Sequence, residues 1–220
     1  MSSSSEPQLN ADEQLLLLGL ARETLRCTVA GTVVPSFEAC KLPPRLNGSL
    51  GCFVTLTQQG QLRGCIGNVE PRWPLWRAVV ENTRVAATQD ARFPPVAAEE
   101  LDTIEIEISV LSPPELVRFR SPQDLLDQLE PGRDGVLLRL GDRRATYLPQ
   151  VWEKLPDKIR FLSQLALKAG VGPDDWRRRD AAIHRYQVVH FSEGDVPPMG
   201  ETGECRPSAD AHDATDDPLA

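Results

Sequence analysis

No run of apolar residues in this 220-residue chain is long enough to cross a bilayer. The longest, Leu15 to Ala21, is interrupted by Gly19, whereas a spanning helix needs about 20 residues. It follows Asp12 and Glu13 rather than a basic segment, which makes it a poor signal peptide. Without a targeting segment, a cytoplasmic location with no membrane partner is expected. Cys-x-x-Cys pairs are missing as well, which removes zinc ribbons and iron–sulfur sites. The five cysteines (27, 40, 52, 65 and 205) are odd in number and widely spaced, so reduced thiols are expected rather than a disulfide framework. There are three histidines. His184 and His190 would stand about 20 Å apart on one strand, too far to share a metal, and His212 lies near the end of the chain. No glycine-rich loop has Walker or Rossmann spacing. No metal or other cofactor is expected, and no internal repeat is visible.

The chain also lacks positive charge in excess. Its formal net charge is -8, but residues 193–220 hold eight acids and one base, which puts -7 there and leaves -1 for residues 1–192. A near-neutral body gives no electrostatic footprint for nucleic acid or an anionic membrane. The one basic run, Arg177-Arg178-Arg179, is flanked by Asp174, Asp175 and Asp180 and reads as a solvated loop. The acidic segment 193–220 carries Pro197, Pro198, Pro207 and Pro218 and little apolar surface; a disordered tail is expected. Residues 1–9, with Ser2 to Ser5 in a row, read the same way. This leaves one domain at 10–192.

Within that domain the pattern alternates between helix and strand. Asn10 with Glu13 resembles a capping box opening a helix to about Cys27. Residues 31–50, rich in proline and glycine, read as a connecting loop. Residues 52–57 and 62–67 flank a Gly-containing turn as a hairpin. Trp73 to Gln89 is helical, with Asp90-Ala91-Arg92-Phe93-Pro94-Pro95 ending it. Ile104, Ile106, Ile108 and Val110 alternate with Glu105, Glu107 and Ser109, which predicts a half-buried strand. A short helix from Ser121 to Leu129, a second hairpin at 136–148, and helices near 150–155 and 157–169 follow. A last strand is predicted from Ile183 to Phe191. Hairpin-joined strands with helices between the groups predict an α+β fold: a mainly antiparallel sheet with flanking helices.

The chemistry concentrates in Leu62-Arg63-Gly64-Cys65-Ile66-Gly67. On a strand, Arg63, Cys65 and Gly67 share one face. Glycines inside a strand often mark the close approach of a ligand or another backbone, and a cation beside a thiol favours thiolate. Cys65 is therefore the candidate nucleophile and Arg63 the candidate anion clamp. In the alternative, Cys65 is a small core residue and Arg63 a solvated edge residue. Glu105 and Glu107 stand about 6.6–6.8 Å apart along one strand face. They suit paired carboxylate chemistry or, more simply, the wet side of a sheet. Asp90 and Arg92 form either a cleft ion pair or a helix-end cap.

The hexapeptide 62–67 resembles the signature of the AMMECR-type domain, also called AmmeMemoRadiSam system protein A. The resemblance continues through Asp90 to Pro95, Ile106 to Pro113, Tyr147 to Trp152, Phe161-Leu162 and Lys168-Ala169-Gly170, in the family's order. It covers roughly residues 11–192. It implies a larger and a smaller subdomain, with the signature strand near the cleft between them. Candidate binding residues on these blocks are Arg63, Gly64, Gly67, Asp90, Arg92 and Glu107. Many relatives carry a histidine in the turn that here reads Gly132-Arg133-Asp134-Gly135, so a mechanism needing that imidazole does not carry over to Asp134. The family name implies association with a Memo-type protein and a radical S-adenosylmethionine enzyme as partners. It implies no reaction. An accessory protein binding a small molecule or a partner, and an enzyme acting through a Cys65 thiolate on a small anionic metabolite or a modified protein residue, both remain open.

Overall fold

A computed structural model of the chain describes residues 7–34 and 42–195. Two four-stranded antiparallel sheets, each covered by its own helices, make up an α+β fold. The first helix, α1 (Ala11–Ala30), opens on the expected capping box: the Asn10 side chain accepts from Glu13 N–H at 2.8 Å, and the Glu13 carboxylate accepts from Asn10 N–H at 3.0 Å. It ends at Gly31, whose φ of 67° places it in the left-handed region that favours glycine. A 3-10 turn at Pro44–Asn47 interrupts the expected loop. β1 (Gly51–Gln58) and β2 (Gln61–Asn68) form the first hairpin, followed by α2 (Leu75–Thr88) and β3 (Ile104–Leu111).

α1 and α2 bury one face of this first sheet. Leu17, Leu25, Val54, Leu56, Ile106 and Ile108 are fully enclosed there. Glu105 and Glu107 point the other way, as the alternation in β3 predicts. β4 (Glu115–Leu116), α3 (Pro122–Gln128), β5 (Gly135–Leu140), β6 (Arg143–Tyr147), α4 (Val151–Lys154) and α5 (Lys158–Lys168) build the smaller unit. Side chains cap two of these helices: Ser121 accepts from Asp124 N–H and Asp157 from Arg160 N–H. The core of this unit holds Phe161, Leu165, Trp176 and Ile183.

The single strand expected from Ile183 to Phe191 is two strands in different sheets. β7 (Ala182–Tyr186) pairs with β4 and β5, whereas β8 (Val188–Ser192) pairs with β3. The sheet orders are β2-β1-β3-β8 and β4-β7-β5-β6. Ile183, Tyr186, Val188, Val189 and Phe191 keep the stretch rich in strand formers across the crossing, while the alternation itself breaks at Arg185 and Gln187. The crossing is marked by Gln187, which is buried and exchanges two hydrogen bonds with Ser112, where the chain leaves the first sheet after β3. Ser112 N–H donates to the Gln187 carbonyl at 2.9 Å, and Gln187 N–H donates to Ser112 Oγ at 2.9 Å. Leu111, Leu137 and Tyr186, with Phe53 and Val188 against them, weld the two units at this seam.

The described residues continue past both expected boundaries, to 7 and to 195. Pro7 is buried, and Gln8 offers its carbonyl to Arg45 at 2.7 Å. Glu193 accepts from the Arg22 guanidinium, from Nε at 2.8 Å, and from Ile106 N–H at 2.9 Å. The rest of the acidic segment, with Cys205 and His212, and the loop position Cys40 lie outside the described residues. No described helix is long and apolar enough to cross a membrane.

Candidate functional site

The first sheet has one face in the helical core and the other turned towards the second sheet. On that second face, cross-strand pairing sets Cys65 beside Thr55, Thr55 beside Glu107, and Glu107 beside Ser192. The next row reads Gly67, Phe53, Ser109, His190. Directly opposed side chains on a sheet face stand about 4.5–5.5 Å apart, so Cys65 and Glu107 share a wall without touching. Cys65 and Glu107 are each partly accessible. Thr55 Oγ1 donates to Cys65 Sγ at 3.4 Å. Burial raises the Glu107 carboxyl above its ordinary range, with His190 opposing that shift.

The alternation that places Arg63 beside Cys65 does not survive in β2. Gly64 pairs with Leu56 and Leu62 with Thr57, so the register slips and Arg63 is the extra residue of a bulge. Its guanidinium grips Glu100 with Nε and Nη2, at 2.7 and 2.9 Å, and donates to the carbonyls of Pro94 and Pro95. The pair with Glu100 raises the Arg63 pKa. Its donors are thus committed to the loop after α2 rather than offered to an anion at Cys65.

β2 is an edge strand, and Cys65 has no strand partner on its outer side. Asp90 and Arg92 take that place. Cys65 N–H donates to Asp90 Oδ2 at 2.9 Å, and the Cys65 carbonyl accepts from Arg92 Nη2 at 3.1 Å. Arg92 also holds the same carboxylate through Nε (2.9 Å) and Nη2 (2.6 Å). Asp90 is buried, and the Arg92 fork holds its carboxyl far below the usual carboxylate range. Phe93 lies between the two cations, 6.0 Å from Arg63 and 5.5 Å from Arg92. The pair is neither a helix cap nor an open cleft ion pair: it staples the signature strand.

The two signature glycines answer to packing. A Cβ on Gly64 would stand 2.5 Å from the Ala86 carbonyl oxygen, so Gly64 lets α2 lie against β2. A Cβ on Gly67 would stand 2.3 Å from Phe53 Cγ. Gly64 faces the helix, while Gly67 remains on the cleft wall beneath the Phe53 ring.

Lys168, at the end of α5, faces this wall from the second unit. Its ammonium donates to the Thr146 carbonyl at 2.9 Å and sits 4.9 Å from the centre of the Tyr147 ring. Burial lowers the Lys168 pKa, and the nearby Cys65 sulfur partly offsets that. Lys168 belongs to one of the blocks that carry the resemblance, but only the fold brings it within electrostatic reach of Cys65. Asp134 caps a turn: its carboxylate accepts from Glu130 N–H at 2.9 Å, and its carbonyl accepts from Trp152 Nε1 at 2.7 Å. Arg177 and Arg178 are ion-paired with Asp174, Asp175 and Asp180. No group of three or more metal-ligating side chains occurs among the described residues.

Fold and site together define a two-sheet α+β protein with a polar cleft at the seam and a stapled cysteine strand on one wall. The chain belongs to the AMMECR1 family, whose model matches residues 18–191. It is 39% identical over 201 residues to Protein MJ0810 of Methanocaldococcus jannaschii, covering 86% of this chain and 97% of the relative. Protein MK0488 of Methanopyrus kandleri is 43% identical over 157 residues, covering 69% of this chain and 76% of that protein. The crystal structure of an uncharacterized protein, PH0010 from Pyrococcus horikoshii, superposes with a TM-score of 0.76 at 33% identity, covering 86% of this chain and 95% of that one.

Proposed function

We propose that this protein is an accessory protein that binds a small molecule or a partner's segment in the cleft between its sheets. It would act in the cytoplasm beside a Memo-type protein and a radical S-adenosylmethionine enzyme. The partners rest on the family resemblance. The binding role rests on one observation: the Cys65–Thr55–Glu107 row is partly accessible and lies next to the row of Gly67 and Phe53, which line the cleft, while Arg63, Asp90 and Arg92 are spent on positioning its strand. The arrangement suits a surface held in fixed shape more than a nucleophile with a base. The two described histidines stand on β7 and β8, away from β2. Cys65, Gly67 and Glu107 would contact the ligand. Gly64, Arg63, Asp90 and Arg92 would hold the wall that presents them.

A second reading has its own observation. The Lys168 ammonium, held on the Thr146 carbonyl, is within electrostatic reach of Cys65, and a cation close to a thiol favours thiolate nucleophilicity. On this reading Cys65 attacks a small anionic metabolite or a modified protein residue. Complementation separates the two. Cells lacking the gene are profiled for metabolites and then supplied with wild type, Cys65→Ala or Cys65→Ser. The accessory reading expects Cys65→Ala to restore the wild-type profile and to retain co-purification with the two partners. A folded Cys65→Ala that fails to restore the profile, while still binding both partners, rejects it in favour of the nucleophile.

A further inference from the structure

Two arginines stand side by side on the second sheet. Arg139 on β5 and Arg144 on β6 are direct cross-strand partners, an arrangement that like-charge repulsion disfavours unless an anion lies between them. Here one carboxylate serves both. Glu70, just beyond the end of β2, reaches across the cleft to Arg139 and to Arg144 Nη1, the latter at 3.3 Å. A single negative charge does not saturate this site. Arg139 Nε is buried with no hydrogen-bond partner, and Arg72 stands on the rim with no ion pair among the described residues. Three guanidiniums therefore line the same space as one carboxylate. Charge of one sign is gathered here on a body that is close to neutral overall. His184, paired across the sheet from Leu137, registers the excess: burial and then Arg139 hold it below its ordinary value.

The space between them is a cleft of about 290 Å³ walled by Phe53, Val69, Leu137 and Ala145. Apolar walls with a few convergent charged groups describe a small-molecule site. Gly67 is part of its lining. Cys65 lies two residues along the same strand face, about 6.6–6.8 Å away by strand rise.

We propose that this cleft recognises a small organic anion, a carboxylate or phosphate on a ring-sized apolar body, and that Glu70 holds the anion's place until it arrives. The headgroup takes the fork formed by Arg139 and Arg144, where planar bidentate geometry favours carboxylate and phosphate oxygens. The body lies against Phe53 and Leu137 and points along β2 towards Cys65. The Glu70 side chain, half exposed, swings out to solvent. This assignment rests on the ligand-binding reading and gives that ligand a chemical class.

The test is titration of the full-length protein with phenyl phosphate and with benzoate at low ionic strength. Binding is followed by backbone amide NMR shifts at residues 67–70 and 139–146. Benzyl alcohol is the neutral control, and inorganic phosphate is the headgroup alone. Saturable shifts at both segments are expected with the two aromatic anions, at least ten-fold weaker binding with inorganic phosphate, and none with the alcohol. Glu70→Gln removes the internal competitor and should tighten anion binding about five-fold or more. Arg144→Gln, at an exposed side chain, should weaken it at least ten-fold. If Glu70 is only a clip between the sheets, Glu70→Gln lowers stability without tightening anion binding, and the proposal fails. It also fails if the alcohol shifts the same amides equally, if inorganic phosphate binds as tightly as phenyl phosphate, or if Arg144→Gln binds like wild type. None of these readouts involves the thiol or the partners. Loss of the anion site thus leaves the complementation result at Cys65 to decide the broader reading by itself.

Discussion

The buried carboxylate of Asp90 accepts the backbone N–H of Cys65 at 2.9 Å while Arg92 closes on both residues. Two residues of the loop after α2 thereby supply an edge strand with the hydrogen bonds that a neighbouring strand would otherwise make. The arrangement explains why the blocks at 62–67 and 90–95 occur together: the second is the outer border of the first.

Removing that border should be costly. Asp90→Ala is expected to lower stability by about 2–3 kcal/mol in chemical denaturation, because a charged acceptor of several hydrogen bonds is lost from a buried site. The pH dependence follows from the depressed carboxyl. A depressed folded value means the contribution is fully present above the unfolded value of about 3.9 and is lost as pH falls from there through the lowered folded value. Wild type should therefore lose stability more steeply than Asp90→Asn below about pH 4, and the two should run parallel above about pH 5. Parallel curves throughout would mean that Asp90 is not held as an anion.

The thiols should separate by burial. Cys52 is enclosed, and burial pushes its thiol up to about 12; Cys65 and Cys27 are partly accessible. Alkylation by a small neutral reagent, read site by site by mass spectrometry, should modify Cys65 and Cys27 in the folded protein and Cys52 only after unfolding. A Cys65 that waits for unfolding would remove it from the cleft wall.

Gly64→Ala should cost about 1–3 kcal/mol, the usual range for overpacking, because its methyl would meet the Ala86 carbonyl of α2. A glycine kept for ligand access would instead accept alanine with wild-type melting. Thermal denaturation distinguishes the outcomes.

The sheet and its C-terminal anchor give a matched set. Ile106→Ala should cost about 2–5 kcal/mol, and Glu105→Ala, at an exposed position, within about 0.5. Glu193→Ala should cost about 1.5–3 kcal/mol, since it removes a charged partner from Arg22 and the acceptor for Ile106 N–H. A neutral Glu193→Ala would place the folded boundary back at residue 192.

Local chemistry accounts for what was legible in the sequence. The capping box at Asn10, the helices opening at Ser121 and Asp157, the alternation from Ile104 to Val110, and the first hairpin are each specified by residues close in sequence, and each forms as expected. The misreadings involve relations between distant segments. The change of sheets at Gln187 falls inside one continuous run of strand formers, and a break in alternation at Arg185 and Gln187 does not tell a change of sheet from a bulge. The bulge at Arg63 depends on how β2 registers against β1. It turns a presumed anion clamp into a tether for Glu100, which lies 37 residues away. Lys168 and Glu70 read as ordinary charged residues in sequence; the fold brings the first within electrostatic reach of Cys65 and sets the second against the arginine pair.

The crossing at Ser112 and Gln187 also bears on how the chain folds. β3, made early, has β1 on one side, but its other partner is β8, beyond the whole of the second unit. During synthesis the larger sheet therefore emerges with an open edge at β3 and stays unfinished until residues 188–192 leave the ribosome. Such an edge can recruit foreign strands, and pairing between remote segments is slow. Truncations that stop before β8 should accordingly yield aggregation-prone chains rather than a free-standing N-terminal domain.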